Sequence, residues 1–388
     1  MAIGFFLLSH PRELFPSLTE SLWRLAALSL VVVVLDLRRV KFPAVPWTVA
    51  AFLGICLASA LWSVEPSDTL RAVRLYCLIA VFACLAVANS TVQTLVRGIV
   101  WGALLVAGAT FWTLWLQETG AQVPNAATPV AGFHGNRNVI SYTLVLGICA
   151  LLCFQARGLF ARVRWTMAFA SMVFLLLTTR SGTGIVAAVV LPVAAVMLTA
   201  ARRWDPFGSK WAKMAAYAVV VASAAAALAT LSSVAALLGR RSDLSGRGPL
   251  WDAIVEVWSQ SPWGGYGFGA VWSYSWFSAS PSAVKAQIDQ LSGQRLAHGH
   301  SILFDLLPQL GVLGVVAVVA IFALSGRWIF TPVDDTEYSA ARWGLLGVLG
   351  VALSGFTEPM LAVPVGWFVV VSAAAATQRI GRRRAVGG

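Results

Sequence analysis

The longest polar stretch of this sequence begins Leu238-Gly239-Arg240-Arg241-Ser242-Asp243-Leu244-Ser245-Gly246-Arg247 and ends at Ala297, where it meets His298-Gly299-His300-Ser301. Strongly apolar runs stand on both sides of it. A run of about 20 apolar residues is long enough to cross the hydrocarbon core of a bilayer as a helix. The stretch is therefore predicted to be one long loop between membrane spans, large enough to fold over the membrane surface and form a site.

Composition indicates the same class of protein. Hydrophobic residues make up 59% of the chain and charged residues 11%, whereas soluble domains contain roughly 25% charged residues. The net charge of +12 does not indicate nucleic-acid binding, because the basic residues lie in short connections between apolar runs. The five cysteines lie inside apolar runs, where they are expected to pack as small core residues.

Eleven membrane-spanning helices can be drawn along the chain, which predicts an all-α polytopic membrane protein. An apolar start, Ile3 to Leu8, is either an interfacial segment or part of a twelfth span. The eleven spans cover about 18–35, 44–63, 69–89, 95–116, 137–154, 163–179, 182–200, 213–237, 301–324, 343–357 and 360–377.

The distribution of charge predicts which side each connection faces. Most of the 28 basic residues lie in short segments that follow odd-numbered spans. Short connections rich in Lys and Arg stay in the cytoplasm. Residues 1–237 are therefore predicted to hold eight spans, 238–300 an outer loop, and 301–388 three spans and a basic cytoplasmic tail.

Two patterns inside the loop predict local structure. Leu250, Trp251, Ile254, Val255 and Trp258 recur at helical spacing, which predicts an amphipathic helix. The Gly-rich turn at 262–269 lacks the strand–turn–helix context and the Lys of a phosphate-binding loop. An outward-facing site also has no nucleotide supply, so we expect no cofactor, and any energy must come with the substrate.

Three arginines on the predicted outer side are candidate phosphate ligands: Arg137, Arg180 and Arg247. Topology does not explain them, because basic residues are scarce on that side. The planar guanidinium can hold a phosphate through two hydrogen bonds. The alternative for each is a solvated cation that extends its stem along the membrane interface.

His298 and His300 stand where the loop re-enters the membrane, and they suggest a general base. An unperturbed imidazole titrates near pH 6.5 and can take a proton from a hydroxyl at neutral pH. The alternative is a polar pair that caps the ninth span. A metal site is disfavoured, because two histidines two residues apart with only Asp305 nearby make a poor ligand set.

Aromatic side chains of the loop are candidates for stacking on sugar rings, with Trp251, Trp263 and Tyr266 assigned to the glycan. Trp and Tyr are also enriched at membrane interfaces in proteins that bind no sugar. Sugar stacking and simple interfacial anchoring therefore both stay open. Glu358, at the outer end of the tenth span, is assigned to the glycan too. It is the next candidate base after the histidines.

These motifs together resemble the superfamily of O-antigen ligases and O-antigen or exopolysaccharide polymerases of bacterial envelopes. The order of the spans and of the long loop matches over most of the chain. The motifs that carry the resemblance are Arg180-Ser181-Gly182, Ser245-Gly246-Arg247 with Leu250-Trp251, Pro262-Trp263-Gly264-Gly265-Tyr266-Gly267, and His298-Gly299-His300-Ser301-Ile302-Leu303 followed by Gly311.

The resemblance implies a metal-independent inverting glycosyltransferase of the multi-span C type. Its donor would be a glycan on undecaprenyl pyrophosphate, held by Arg180 and Arg247. His300 would activate the acceptor, which is a glycan or a lipid-linked molecule. The family usually follows this histidine with Asn, whereas this chain has Ser301, so His298 is the fallback base.

Gly132-Phe133-His134-Gly135-Asn136-Arg137-Asn138 and Thr357-Glu358-Pro359 look more like the succinoglycan-type exopolysaccharide polymerases than like the ligases. We therefore expect a polymerase in the bacterial inner membrane, with its site facing the periplasm. The alternative is an O-antigen ligase that attaches the glycan to lipid A core. Membrane lipids and a chain-length regulator or export proteins are the further expected partners.

A transporter of lipid-linked glycans or solutes is the third interpretation. Transporters place ionisable residues near the bilayer midplane. The span interiors of this sequence contain few of them, which favours an enzyme.

Overall fold

The computed structural model of the chain describes residues 2–9, 41, 44–118, 136–156, 158–204, 214, 218, 247–272, 282–330 and 334–387. Regular structure within these residues is entirely helical. The α-helices in the described ranges, numbered in chain order, are α1 (Ala2–Leu8), α2 (Trp47–Ala58), α3 (Pro66–Ala88), α4 (Val92–Glu118), α5 (Arg137–Cys153), α6 (Leu159–Thr178), α7 (Gly182–Trp204), α8 (Gly248–Ser259), α9 (Ala283–Ser292), α10 (Ile302–Gly326), α11 (Asp335–Gly355) and α12 (Pro364–Gly387).

Some expected features lie outside the described residues. They are the first span at 18–35, nearly all of the eighth span at 213–237, the loop segments 238–246 and 273–281, and most of the outer connection at 117–136. The proposed division at 237 and 300 therefore remains a prediction.

Five of these helices are long and apolar enough to cross a membrane, namely α3, α4, α6, α7 and α10. Two shorter apolar helices, Trp47–Leu61 and Arg137–Cys153, accompany them. The chain is thus a helical polytopic membrane protein, as composition predicts. The count of eleven spans and the glycosyltransferase C architecture remain predictions.

The last two predicted spans differ in their bounds from the helices that form. Helix α11 begins at Asp335 rather than near residue 343, because the Asp334 carboxylate accepts a hydrogen bond from the backbone N–H of Glu337 and caps it. Arg342, expected in a connection, therefore lies inside α11. There its guanidinium donates to Oγ1 of Thr199 (3.0 Å) on α7.

Hydrogen bonds join the connections that follow odd-numbered spans at one end of the helix bundle. Gln93 after α3 donates to the carbonyl of Cys153 at the end of α5, and Arg202 of α7 donates to Asp335 (2.7 Å). The contacts that complete this end are Lys41 with Asn89, Gln155 with Ser339, and Arg379 with the carbonyl of Ser90.

The connections that follow even-numbered spans meet at a second set of contacts. The indole N–H of Trp62 donates to the carbonyl of Gly264 (3.1 Å), and the hydroxyls of Thr183 and Thr357 lie 2.5 Å apart. Arg247 also contacts Thr357. All candidate site residues in the described ranges lie in or beside the connections that follow even-numbered spans. The side of the membrane that each group of connections faces remains a prediction.

A break in α10 receives the Gly-rich turn of the loop. Pro308 and Gly311 interrupt the helix, and Gly311 has φ +59°, which favours glycine. The freed carbonyls of Pro308 and Gln309 accept hydrogen bonds from the backbone N–H groups of Tyr266 (2.9 Å) and Gly267 (3.0 Å). A Cβ on Gly311 would lie 2.5 Å from the backbone of Trp263, so only glycine permits this approach. The loop is thereby fixed to a membrane helix.

Candidate functional site

Arg247 occupies the first turn of the described loop, immediately before α8, and its side chain is only 14% exposed. One guanidinium nitrogen, Nη1, donates to the carbonyl oxygen of Thr357 (2.7 Å), and the other, Nη2, lies 3.4 Å from Oε1 of Glu358. Burial lowers the pKa of Arg247, while the negative charge of Glu358 raises it. The arginine therefore links the loop to the turn between α11 and α12.

Glu358 is a carboxylate held by partners from two other elements. Its Oε1 accepts a hydrogen bond from Nδ2 of Asn138 (2.8 Å) in addition to the Arg247 contact. The N-cap of α5, Asn136, orients this region, because its side chain accepts from the backbone N–H of Asn138. Burial raises the pKa of Glu358 to about 7, although Arg247, Asn138 and Arg137 act to lower it.

The two histidines lie against each other between α9 and α10, with ring centroids 4.0 Å apart. The backbone N–H of His300 donates to Nδ1 of His298 (3.2 Å). His300 has φ +50°, a left-handed conformation that is uncommon for a residue other than glycine and that marks local strain. Its own Nδ1 is buried, and no described residue forms a hydrogen bond with it.

The surroundings of both imidazoles favour the neutral form near pH 7. Burial lowers the pKa of His298 to about 4, with the charge of Arg247 acting in the same direction. Burial, His298 and Arg247 together lower the pKa of His300 to about 2. A neutral imidazole has an open lone pair, which a proton acceptor needs.

The histidine segment is held in place by aromatic and acidic side chains. The indole N–H of Trp251 donates to the carbonyl of Gly299 (2.9 Å), and the Trp251 ring stacks on Phe304 at 4.5 Å. The backbone N–H of Gly299 donates to Oδ1 of Asp305 (3.2 Å). A Cβ on Gly299 would lie 2.7 Å from the backbone of Phe304, so the segment packs tightly on the first turn of α10.

The three aromatic residues assigned to the glycan have different surroundings. Trp251 has its N–H bonded and one face stacked, and Tyr266 donates its hydroxyl proton to the carbonyl of Val257 (2.9 Å). Trp263 is 70% exposed. Trp251 and Tyr266 thus have a packing role, while their binding of sugar remains a prediction.

The predicted amphipathic helix is confirmed as α8. Leu250 and Ile254 are fully buried, as their helical spacing predicts, whereas Val255 of the same pattern is 42% exposed. Trp251 lies in this helix, and Arg247 is the residue immediately before it. The buried apolar face of the helix therefore sets the position of both site residues.

Of the other two candidate arginines, Arg137 acts electrostatically on Arg247, whereas Arg180 is exposed. Arg137 is the first residue of α5, and its charge influences the pKa of both Arg247 and Glu358. Arg180 is exposed in the turn between α6 and α7, with φ +51°. Its turn is tied to the same region, because Thr183 contacts Thr357.

Three residues that sequence analysis assigned no role belong to the site. Asn138 and Thr357 contact Glu358 and Arg247, and Asp305 anchors the histidine segment. Asn138 and Thr357 stand inside motifs that the resemblance singled out. Asp305 is only 5% exposed. An acidic residue in the first turn of an otherwise apolar span is unusual, and this feature of the sequence could have indicated its role.

One donor atom each of His298, His300 and Glu358 lies within 4.8 Å of the others, a grouping that a metal ion could reach. Two features oppose a divalent cation there. The Glu358 oxygen already accepts from Asn138 and Arg247, and the guanidinium places positive charge beside the group. A metal-free site remains our prediction.

Comparison with known proteins gives two matches. Residues 167–319 match the family model described as O-antigen ligase (Wzy_C), and this region contains Arg180, Arg247 and both histidines. The chain is also 24% identical over 292 residues to the exopolysaccharide production protein ExoQ of Rhizobium meliloti (strain 1021). The alignment covers 73% of this chain, and the chain spans 65% of the length of that relative. The resemblance stated from the motifs is thereby confirmed.

Proposed function

We propose that this protein is a membrane glycosyltransferase that polymerises oligosaccharide repeats carried on undecaprenyl pyrophosphate. The reaction takes place at the periplasmic face, without a metal ion and with inversion at the anomeric carbon. One observation carries the proposal. A largely buried guanidinium, two imidazoles and a carboxylate meet among the connections that follow even-numbered spans.

The guanidinium of Arg247 suits the leaving group. Pyrophosphate departs with negative charge, and a cation held in a poorly solvated site stabilises that charge strongly. The arginine can offer two parallel N–H donors to phosphate oxygens. Arg137 contributes a second charge, and Arg180 is the third ligand in the proposal.

The histidines suit the acceptor hydroxyl. His300 takes the proton from that hydroxyl, and His298 is the fallback. The low pKa of His300 in the free protein reflects burial and the nearby Arg247. A bound pyrophosphate offsets the arginine charge, which raises the proton affinity of the imidazole when the acceptor is in place.

The substrate class follows from the same proposal. The donor is a lipid-linked glycan whose tail stays in the bilayer, and the acceptor is a second glycan or lipid-linked chain. A chain-length regulator and export proteins are further partners.

A ligase that attaches the glycan to lipid A core is the second candidate. The description of the matching family model favours it. The similarity to an exopolysaccharide production protein favours polymerisation, and its alignment extends over more of the chain.

The proposal is tested with the purified protein in lipid nanodiscs. The substrate is a defined undecaprenyl pyrophosphate oligosaccharide, presented either alone or with lipid A core. Longer lipid-linked chains indicate a polymerase, and glycosylated core indicates a ligase. Unchanged donor under both conditions contradicts the enzyme and leaves a transporter, which a flux assay in sealed vesicles then examines.

A further inference from the structure

Glu358 is the described carboxylate that belongs to both halves of the site. It contacts Arg247, the candidate pyrophosphate ligand, and one of its oxygens lies within 4.8 Å of a nitrogen of each histidine. Its side chain is 13% exposed. The proposed function uses a histidine as the base and leaves Glu358 as the next candidate, with no part in proton transfer while a histidine acts.

The groups that stabilise the charge of Glu358 come from two elements. Arg247 precedes α8, while Arg137 and Asn138 begin α5, and all three favour the ionised carboxylate. On the remaining side, between α9 and α10, the two imidazoles are neutral. Arg247 and Asn138 therefore offset the cost of burying the charged form of this carboxylate.

Donor binding changes this balance. The pyrophosphate brings two or more negative charges to Arg247 and competes with Glu358 for the guanidinium. The Arg247–Glu358 contact is already long at 3.4 Å, whereas the contact from Arg247 to the Thr357 carbonyl is 2.7 Å. A buried carboxylate that shares its cation with another anion gains proton affinity.

We propose that Glu358 is the terminal proton acceptor of the transfer step, receiving through the imidazole of His300 the proton that the acceptor hydroxyl releases. The inference rests on the proposed function and adds a residue and a proton route to it.

The step balances without a co-reactant. The acceptor O–H bond breaks, and its oxygen forms a bond to the anomeric carbon of the donor. The bond from that carbon to the pyrophosphate oxygen breaks, and its electron pair leaves with the pyrophosphate beside Arg247. One ring nitrogen of His300 takes the acceptor proton while the other gives a proton to the Glu358 carboxylate.

Two observations support this proton route through His300 to Glu358. Nδ1 of His300 is buried without a hydrogen-bond partner among the described residues, so that nitrogen is open to pass or receive a proton. An imidazolium that stayed at His300 would face Arg247, an arrangement that burial disfavours further. One bridging water or a small rotation of the Glu358 side chain covers the remaining distance.

The first experiment measures turnover against pH for Glu358→Gln and Glu358→Asp. Glutamine keeps the shape and the acceptor oxygen for Asn138, but it cannot take up a proton. We expect Glu358→Gln to lose turnover by roughly 10²–10⁴-fold, the range of general-base assistance. The control is Glu65→Gln, the same change at an exposed carboxylate that follows an even-numbered span.

The pH dependence separates proton transfer from mere support of Arg247. In the wild type, kcat falls as the pH falls through the pKa of Glu358 in the donor complex, because the base must be ionised. Glu358→Asp should keep such a limb at a shifted pH, and Glu358→Gln should lose it. A Glu358→Gln variant with the wild-type kcat, or with an unchanged acid limb, overturns the inference.

A second readout needs no turnover. Infrared difference spectra of the protein alone detect the carbonyl band of a protonated carboxylic acid. As the pH rises, the wild type and Glu65→Gln should lose this band with a midpoint near pH 7. Glu358→Gln should lack the band that disappears at this midpoint. Added donor should move the midpoint upward, and a midpoint that stays fixed on saturation with donor overturns the inference.

The two levels of proposal fail separately. A wild type that leaves every lipid-linked donor unchanged overturns the proposed function and, with it, the proton route. An active wild type with a fully active Glu358→Gln overturns the proton route alone.

Discussion

At the scale of single residues, Arg247 carries most of the electrostatic argument, and its guanidinium geometry can be tested. In Arg247→Lys the charge remains, but the fork that reaches both Thr357 and Glu358 is lost. Hydrogen bonds to charged groups contribute about 1.5–3 kcal/mol, so turnover should fall by roughly 10- to 150-fold.

The measurement for Arg247→Lys is initial-rate turnover with a defined lipid-linked donor, at matched protein levels. Arg202→Lys, at the other group of contacts, is the control, because it changes an Arg–Asp pair away from the site. Wild-type turnover in Arg247→Lys with normal donor affinity would remove Arg247 from the pyrophosphate site.

His300 is the residue for which the base and metal interpretations predict different results. His300→Ala should reduce turnover by roughly 10²–10⁴-fold while donor binding stays intact, and His298→Ala should reduce it less. Activity should survive EDTA. A larger loss in His298→Ala exchanges the two roles, and loss of activity in EDTA restores the metal interpretation.

The histidine pair should also make the protein sensitive to acid. The pKa values of about 4 for His298 and about 2 for His300 lie below the usual 6.5, so the unfolded chain binds more protons below that pH. Their contribution to stability is complete above pH 6.5 and is lost as the pH falls toward 4 for His298 and toward 2 for His300. Glu358, with its pKa raised to about 7, acts in the opposite direction between pH 4.5 and 7.

The measurement of acid sensitivity is the thermal unfolding midpoint in detergent at pH 7.5 and pH 5. His300→Gln should show a smaller drop between the two values than the wild type. An equal drop in both proteins would mean that His300 titrates normally in the folded state.

At the scale of elements, the Gly-rich turn and the break in α10 act as one joint. Gly265 has φ +61°, and a Cβ there would lie 2.5 Å from the backbone of Gln309. Gly311 makes the reciprocal approach to Trp263. The turn resembles a nucleotide-binding loop in composition alone, since its N–H groups are used by the carbonyls of α10.

Gly265→Ala and Gly311→Ala should each lower the thermal unfolding midpoint strongly. The left-handed conformation costs a non-glycine residue roughly 1–2 kcal/mol, and the contact with backbone adds to that cost. Gly54→Ala in α2 is the control, because nothing lies within 4 Å of a Cβ built there. If Gly311→Ala had the same thermal unfolding midpoint as Gly54→Ala, the close packing of the Gly-rich turn on α10 would be contradicted.

At the scale of the whole molecule, the alternating connections predict which side faces the cytoplasm. A reporter fused after Gly388 should be cytoplasmic, and one inserted within 278–283 should be periplasmic. A cytoplasmic signal from the loop insertion would contradict the orientation. It would also contradict the mechanism, because lipid-linked repeats are polymerised at the outer face in our proposal.

The sequence alone determined the class of the protein and much of its layout. Apolar run length predicted the helices, because a backbone in lipid must satisfy its own hydrogen bonds. Helical spacing predicted α8, and the motifs identified the relatives. These signals are local or depend on order along the chain, so no contact between distant residues is needed to read them.

Only the tertiary structure brought Arg247 to Glu358, 111 positions away, and Asn138 to the same carboxylate. It also showed that Trp251 holds Gly299 and that Arg342 lies inside a helix. No pattern of spacing encodes these pairs, because each joins two elements through packing that depends on all the helices between them. The proton affinities of His300 and Glu358 follow from the same packing, since burial and the neighbouring guanidinium set them, and neither is a property of the residue type.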